Sequence, residues 1–435
     1  MATLKRIIID GFRNIDYNEI SLQKMTALLA PNNYGKSNIL DAIMFAFTFL
    51  RKGVDIRKQL MNDYTCISIN NIMAGKPFLF EMEIDVDLNI DLIYSFSFDW
   101  SRQNNKEKIQ KSGRIISEYF GIKDNSKDKP KYKTIINRNL EDAKYDSAGR
   151  CNKPIKISQD ELVLVKLSNL DNWSYLSYAD IVLNIDISSL DTISDPKNHF
   201  LPQEMHTNNG VKYEYDGFTE FIYALQQKDK NTFDYLVSTL KNLIPTIETV
   251  KSVKLSSRAK TMNKGIPYEL PDIYEVFVKE KNNNQSTPFR YLSTGTMQIL
   301  LLLVTIIHAN KHGVKLLMIE ELENSIHPKL LQSLISAIED LRGETKILFT
   351  SHSTYVAKYL TYDQLYVGLP SNDGLVDFRL IKKSKVKNVL KIAAAGDMSL
   401  GEYLFELMLD AENDLEIINV LFEAKSKRDG GKYEC

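Results

Sequence analysis

The chain has 435 residues, 43% of them hydrophobic and 26% charged, with 55 Lys and Arg against 56 Asp and Glu for a formal net charge of −1. That length predicts two or three domains with a sizeable core, and the composition excludes wholesale disorder. A near-neutral chain has no global field to recruit nucleic acid or acidic membrane, so any such contact must come from local patches.

The opening MATLKRIIIDGF is basic but carries no apolar stretch long enough for a signal peptide. The longest apolar run, Ile299 to Ile307, falls far short of the roughly 20 residues that span a bilayer. Cys66, Cys151 and Cys435 are scattered without a CxxC spacing and read as buried or incidental thiols in a reducing cytosol. The expected location is therefore cytoplasmic, with no membrane partner.

In chain order, residues 4–9 and 25–29 read as short strands, the second running into the loop APNNYGKS. Residues 37–50 carry apolar positions all round and predict a buried helix. Residues 78–88 and 92–98 alternate with period two and predict a hairpin. From about 101 to 133 the chain turns Lys- and Asn-rich, which predicts a solvated loop or arm. Residues 161–231 predict mainly helix, with buried faces supplied by Trp173, Tyr175 and Phe218 to Leu225. Residues 246–256 and 272–280 return to strand character. A turn, a long apolar helix, a strand ending in acids, another helix and a strand ending TSHS follow, without any internal repeat. The expected organisation is an α/β head in two parts, 1–100 and 232–398, split by an insertion at 101–231 and followed by a tail at 399–435.

The loop Ala30–Pro31–Asn32–Asn33–Tyr34–Gly35–Lys36–Ser37 matches GxxxxGK[ST] everywhere but at its first position, where Ala stands for Gly. Backbone N–H groups and the following helix N-terminus in such a loop cradle phosphate. Lys36 would reach the β- and γ-phosphates and Ser37 would ligate Mg²⁺. Ala30 needs φ < 0 there or mild strain. The apolar strand 316–321 ends in Glu320 and Glu321, placing carboxylates at a sheet edge. Glu320 suits a Mg²⁺ shell, and Glu321 suits orienting or deprotonating a water. The same pair also reads as an acidic helix start favoured by the dipole.

Residues 291–298, YLSTGTMQ, lead into the apolar helix. Ser293 or Thr294 reads either as a plain N-cap or, with Gly295 and the helix dipole, as part of an anion site. His352 follows a strand and reads either as a structural hydrogen-bonder or as a group returned to the same sheet edge, 31 residues beyond Glu321 (352 − 321).

These four elements, in this order, resemble the ABC-type ATPase heads of the SMC, RecF and overcoming-lysogenization-defect (OLD) families. Gly11–Phe12–Arg13–Asn14 resembles the FRN stretch before their loop, LSTGT resembles their signature, and Glu320–Glu321, Glu323 and Ile326–His327–Pro328 resemble the EExE…HP run of the OLD-like branch. The resemblance implies a P-loop ABC-ATPase head: a mixed sheet flanked by helices plus an antiparallel β lobe, with a large, mainly helical insertion. It implies ATP and Mg²⁺ as cofactors. Arg13, Asn38 and Gln298 would lie near nucleotide, Ser293 and Gly295 would reach the γ-phosphate of a partner subunit, His352 would be the γ-phosphate switch, and His327 would occupy the D-loop.

Ala30, Glu320 and Leu322 depart from the usual Gly, Asp and Pro. Stand-alone AAA_15/OLD-like ATPases of bacterial anti-phage systems look most similar, sharing an SLGE-like tail with Ser399–Leu400–Gly401–Glu402. Only 83 residues follow His352 (435 − 352), too few for the nuclease domain of OLD proteins. An effector, nuclease or toxin, would then be a separate polypeptide.

Two basic runs, Lys251–Lys254–Arg258–Lys260–Lys264 and Lys382–Lys383–Lys385–Lys387–Lys391, read either as DNA-phosphate contacts or as solvated faces. The leading expectation is an ATP-driven homodimeric switch, with two heads sandwiching two nucleotides and controlling that effector. A RecF- or SMC-like factor that clamps DNA is the alternative, and a transporter's cytosolic subunit fits the insertion and the EExE…HP run less well.

Overall fold

The computed structural model describes residues 2–68, 70–87, 89–104, 109–111, 113–199, 203–207, 210–214, 217–255, 261–263, 266–268, 272–369, 373–409 and 415–424. Arg258, Lys260, Lys264 and Cys435 lie outside them. The chain divides into two compact units, Met1–Ser189 with Val314–Met318 and Lys346–Cys435, and Leu190–Gly313 with Ile319–Thr345.

The first unit holds two sheets. One is an eight-stranded antiparallel lobe in the order Cys151–Pro154, Ala143–Asp146, Tyr132–Arg138, Arg114–Asp124, Ile90–Asp99, Phe78–Asp87, Thr3–Asp10, Asn18–Ser21. The other is mixed, in the order Ile187–Asp191, Leu316–Glu320, Lys346–Ser351, Met25–Leu29, Leu365–Gly368, Phe378–Leu380. Met25–Leu29 pairs in parallel with Lys346–Ser351, from Met25 opposite Ile347 to Leu29 opposite Ser351, and in parallel with Leu365–Gly368 on its other side. All five of its residues are buried, as a strand covered on both faces requires.

The helix Lys36–Arg51 is fixed to the antiparallel lobe by aromatic rings. Phe49 stacks on Phe96 and Phe98 at 5.0 and 4.8 Å, and Phe45 and Phe47 meet Phe78 and Phe80 edge-on at 5.1 and 5.5 Å. Burying a Phe contributes about 1.5–3 kcal/mol and a favourable ring pair roughly 0.5–1.5 more, so this cluster anchors the helix that the loop opens. A cation also ties the lobe together. Arg6 bonds Glu19, Glu81 and Glu83 across three strands, and though burial opposes the charge, these carboxylates hold the guanidinium protonated.

The stretch from 101 to 133, expected as a solvated arm, instead contributes Arg114–Asp124, which pairs along its length with Ile90–Asp99, and the start of Tyr132–Arg138. Lys and Asn dominate its composition, but Ile115, Tyr119 and Phe120 are buried, and that pairing outweighs average polarity. The region expected to be mainly helical has helices at Val163–Leu167, Leu176–Leu183 and Phe218–Lys228, but also the strand Ile187–Asp191.

The second unit packs helices Phe218–Lys228, Lys230–Leu243, Thr294–Lys311 and Leu331–Leu341 with a small sheet of Ile247–Leu255, Ile273–Glu280 and Thr287–Pro288. Thr294–Lys311 buries 13 of its 18 residues, so its all-round apolar pattern marks a central core helix. Lys254, of the first basic run, pairs with Asp272 at 2.5 Å and lies over the Tyr274 ring. No helix among the described residues is long and apolar enough to cross a membrane.

Candidate functional site

In the first unit, Met25–Leu29 ends at Ala30 and the chain turns through Gly35 into the helix. Asn33 and Gly35 are left-handed, at φ 69 and 80. Gly35 is the N-cap and lies against Asn14 and Val376, where a Cβ would clash. No side chain caps this 16-residue helix, and its first turn holds no acid. The positive end of a long helix, with no side-chain cap at Gly35 and no acid in its first turn, favours an anion.

Lys36, 6% exposed, folds back so that Nζ donates to the Ala30 and Pro31 carbonyls at 2.9 and 3.0 Å. Its ammonium is thus held over the loop by weak acceptors that phosphate oxygens can replace. Ala30 is not among the left-handed residues, and its N–H donates to the Ser351 carbonyl at 3.2 Å. Glycine is therefore not required at that position. Ser37, Asn32 and Asn33 are exposed, and Pro31, Tyr34 and Asn38 are half-buried.

Because Ser351 lies opposite Leu29, His352 emerges at the same sheet edge as the loop, exposed to solvent. Arg13, itself left-handed at φ 46, donates from Nη1 to Asn38 Oδ1 at 2.8 Å and Asp41 Oδ2 at 2.5 Å, and from Nε to the Thr65 carbonyl. Asn38 Nδ2 donates to Asn14 Oδ1 at 2.7 Å. The FRN stretch is thus wired into the first turn of the loop's helix. Asp41 escaped sequence reasoning, although it stands four residues after Ser37 and so shares its helix face.

The tail also reaches the loop. The Tyr34 hydroxyl donates to the Met408 carbonyl at 2.9 Å, and burial pushes its phenol pKa up. Met408 belongs to the helix Leu400–Leu409, which Ser399 and Glu402 open with a reciprocal capping pair. Gly401 lies so close to the Thr354 carbonyl that any Cβ would overlap it. One helix therefore touches both the loop and the segment after His352.

In the second unit, Glu321 and Ser325 are left-handed at φ 49 and 61, on either side of Glu323. Seven non-glycine residues among those described have positive φ, and Arg13, Asn33, Glu321 and Ser325 are four of them. Such backbone costs on the order of 1–3 kcal/mol and persists where surroundings over-determine it. Thr192 is part of that over-determination: it is buried, its hydroxyl donates to the Glu320 and Glu321 carbonyls, and its own carbonyl accepts from Asn324 Nδ2. Nothing in the sequence flags Thr192, which lies 128 residues before Glu320 in a stretch expected to be helical.

Ser293 caps Thr294–Lys311, its Oγ accepting from the Thr296 N–H at 3.2 Å, and Gly295 sits where a Cβ would press on the Ser325 carbonyl. The signature turn and the turn after the acids therefore abut. Gln298 is 1% exposed, with Nε2 lacking a hydrogen-bond partner, on the buried side of that helix. His327 Nδ1 accepts from the Lys329 N–H at 3.2 Å and caps a 3-10 turn.

Thr192→Val keeps shape but removes the hydroxyl. Leaving two carbonyls short of a donor should lower stability by about 1–3 kcal/mol, read as a fall in the denaturant midpoint. ATP turnover should fall with little change in KM; unchanged turnover would deny Thr192 a positioning role.

Comparison with known sequences matches residues 25–358, 334 of the 435, to the AAA_21 family, described as "AAA domain, putative AbiEii toxin, Type IV TA system". No curated protein matches. Similar solved structures include an SMC head bound to the C-terminal winged-helix domain of ScpA, at 13% identity over 88% of this chain and 99% of that one, TM-score 0.45. An SMC head domain from Thermotoga maritima matches at 10% identity over 86% and 98%, TM-score 0.36. A Pyrococcus furiosus Smc head with an extended coiled coil, bound to the C-terminal domain of ScpA, matches at 10% over 91% and 100%, TM-score 0.40. The family match spans the loop, the LSTGT turn, the paired glutamates and His352, and this chain belongs to the AAA_21 family of P-loop ATPases.

Proposed function

We propose that this chain is an Mg²⁺-dependent ATPase that works as a homodimeric switch, its two heads enclosing two nucleotides. The observation that carries this reading is the uncapped start of Lys36–Arg51 with Lys36 folded over its own loop. Lys36 binds the β- and γ-phosphates, the loop N–H groups hold their oxygens, and Arg13 and Asn38 flank the nucleotide. Ser37 and Glu320 each carry a hard oxygen donor of the kind Mg²⁺ prefers and would be its ligands. Held by these residues, Mg²⁺ would supply charge neutralisation at the phosphate oxygens. Glu321 takes the proton of the attacking water, His352 senses the γ-phosphate, and Ser293 and Gly295 complete the partner copy's site.

Closing with ATP and reopening after hydrolysis makes the cycle a switch. The family description names a type IV toxin–antitoxin system. That supports a role in bacterial anti-phage defence, with the switch controlling a separate effector.

Sedimentation velocity with and without ATP tests the dimer. A Glu321→Gln chain should sediment as a dimer with Mg²⁺ and ATP, and adding Ser293→Arg should leave it monomeric while nucleotide still binds. Dimerisation indifferent to ATP and to Ser293→Arg would overturn the sandwich.

A further inference from the structure

The second basic run lies in the first unit, ahead of the tail and outside the loop, the acids and the signature. Between Asp377 and Asp397 the chain has six cations, Arg379, Lys382, Lys383, Lys385, Lys387 and Lys391, and no acid. Arg379 pairs with Asp377. Lys382 is committed to a helix end: its Nζ donates to the Asn419 and Val420 carbonyls, and its N–H donates to the Leu421 carbonyl. Among the described residues, Lys383, Lys385, Lys387 and Lys391 make no ion pair, and Lys383, Lys387 and Lys391 are exposed.

The Lys382 bonds bring this basic turn against the helix Leu415–Leu421, which leaves Ile417 and Val420 41% and 51% exposed. Three residues apart, these two share a face. The turn continues into Val386–Ala395, where only Val389 and Ala393 are buried, while Leu390 and Ile392 are about half exposed. Aliphatic side chains on the helix that this turn opens and on the helix whose end Lys382 caps, beside lysines without an ion pair among the described residues, mark an interaction surface rather than a solvated face.

We infer that this surface, made by the turn Lys382–Lys385 and the exposed faces of Val386–Ala395 and Leu415–Leu421, docks an acidic, amphipathic segment of a partner protein. Charge complementarity selects the occupant. Nucleic acid would pair with the lysines but leave the four aliphatic side chains uncompensated. Helices of 10 and 7 residues without an exposed aromatic are poor membrane-surface anchors. A two-fold contact between copies would set lysine against lysine. An acidic helix with aliphatic anchors satisfies both halves at once.

The test uses the full-length chain and fluorescence anisotropy. Its probe is a synthetic helical peptide with Leu at i, i+3 and i+4 positions and Glu elsewhere, compared with the same peptide carrying Lys for Glu. Further arms are a short DNA duplex and phosphatidylglycerol vesicles. The Glu peptide should bind in a salt-sensitive way. It should weaken at least about tenfold in a Lys383→Glu, Lys387→Glu chain and again in an Ile417→Ser, Val420→Ser chain, while the Lys peptide fails to bind. Intact ATP binding in both variants separates this loss from misfolding and from failure of the ATPase reading. Equal peptide affinity in wild type and variants would overturn the inference. So would duplex or vesicle binding that depends on the lysines but not on Ile417 and Val420, or self-association that both variants abolish.

Discussion

A Lys36→Ala chain should bind ATP at least on the order of 100-fold more weakly than the wild type. The ammonium, now bonded to two carbonyls at 2.9 and 3.0 Å, would exchange them for charged phosphate oxygens. A hydrogen bond to a charged group contributes about 1.5–3 kcal/mol, and each 1.4 kcal/mol is about tenfold in affinity. Two such contacts therefore carry at least two orders of magnitude. Titration with a fluorescent ATP analogue measures the loss directly, and the rise in melting temperature that ATP gives the wild type should vanish with it. Affinity within threefold of wild type would mean that nucleotide does not bind at this loop.

Glu321→Gln should do the opposite, with ATP affinity preserved and turnover reduced by about 10²–10⁴, the usual range for a lost general base. Gln has the same length and occupies the left-handed position as readily as Glu, so the turn pinned by Thr192 stays in place. Phosphate release under single-turnover conditions, beside equilibrium ATP binding, separates the two quantities. Glu320→Gln should instead raise the Mg²⁺ concentration needed for half-maximal rate. If Glu320→Gln stops turnover at every Mg²⁺ concentration while Glu321→Gln leaves it intact, the two roles are exchanged.

Much of the head was legible because its signals are local. The loop, its buried strand and its helix are contiguous in sequence, and the Phe78–Asp87 and Ile90–Asp99 hairpin announces itself by alternation. The departure at Ala30 resolves simply, since its N–H joins the neighbouring strand through Ser351 and needs no left-handed backbone. What stayed hidden depends on distant partners. Arg114–Asp124 is a strand because Ile90–Asp99 offers it an edge, and composition alone reads it as a polar arm. Thr192 matters only because the fold returns it to the Glu320–Glu321 turn, and Asp41 only because Arg13 arrives from 28 residues away. Gln298 shows the converse: a polar residue beside a motif, carried inside by a helix apolar on every side.

The pairing of Met25 with Ile347 spans 322 residues (347 − 25). Closing so long a loop is entropically costly, and parallel strands of that separation form late. At ribosomal rates of roughly 5–20 residues per second, the first strand waits on the order of tens of seconds for its neighbours to be synthesised. A nascent chain should therefore be unable to retain nucleotide until Lys346–Ser351 has emerged, and until then the apolar edge of Met25–Leu29 stays open. A chain cut anywhere before Lys346 would leave Met25–Leu29 without this neighbour and should fail to hold nucleotide, however much of the loop and its helix it retains.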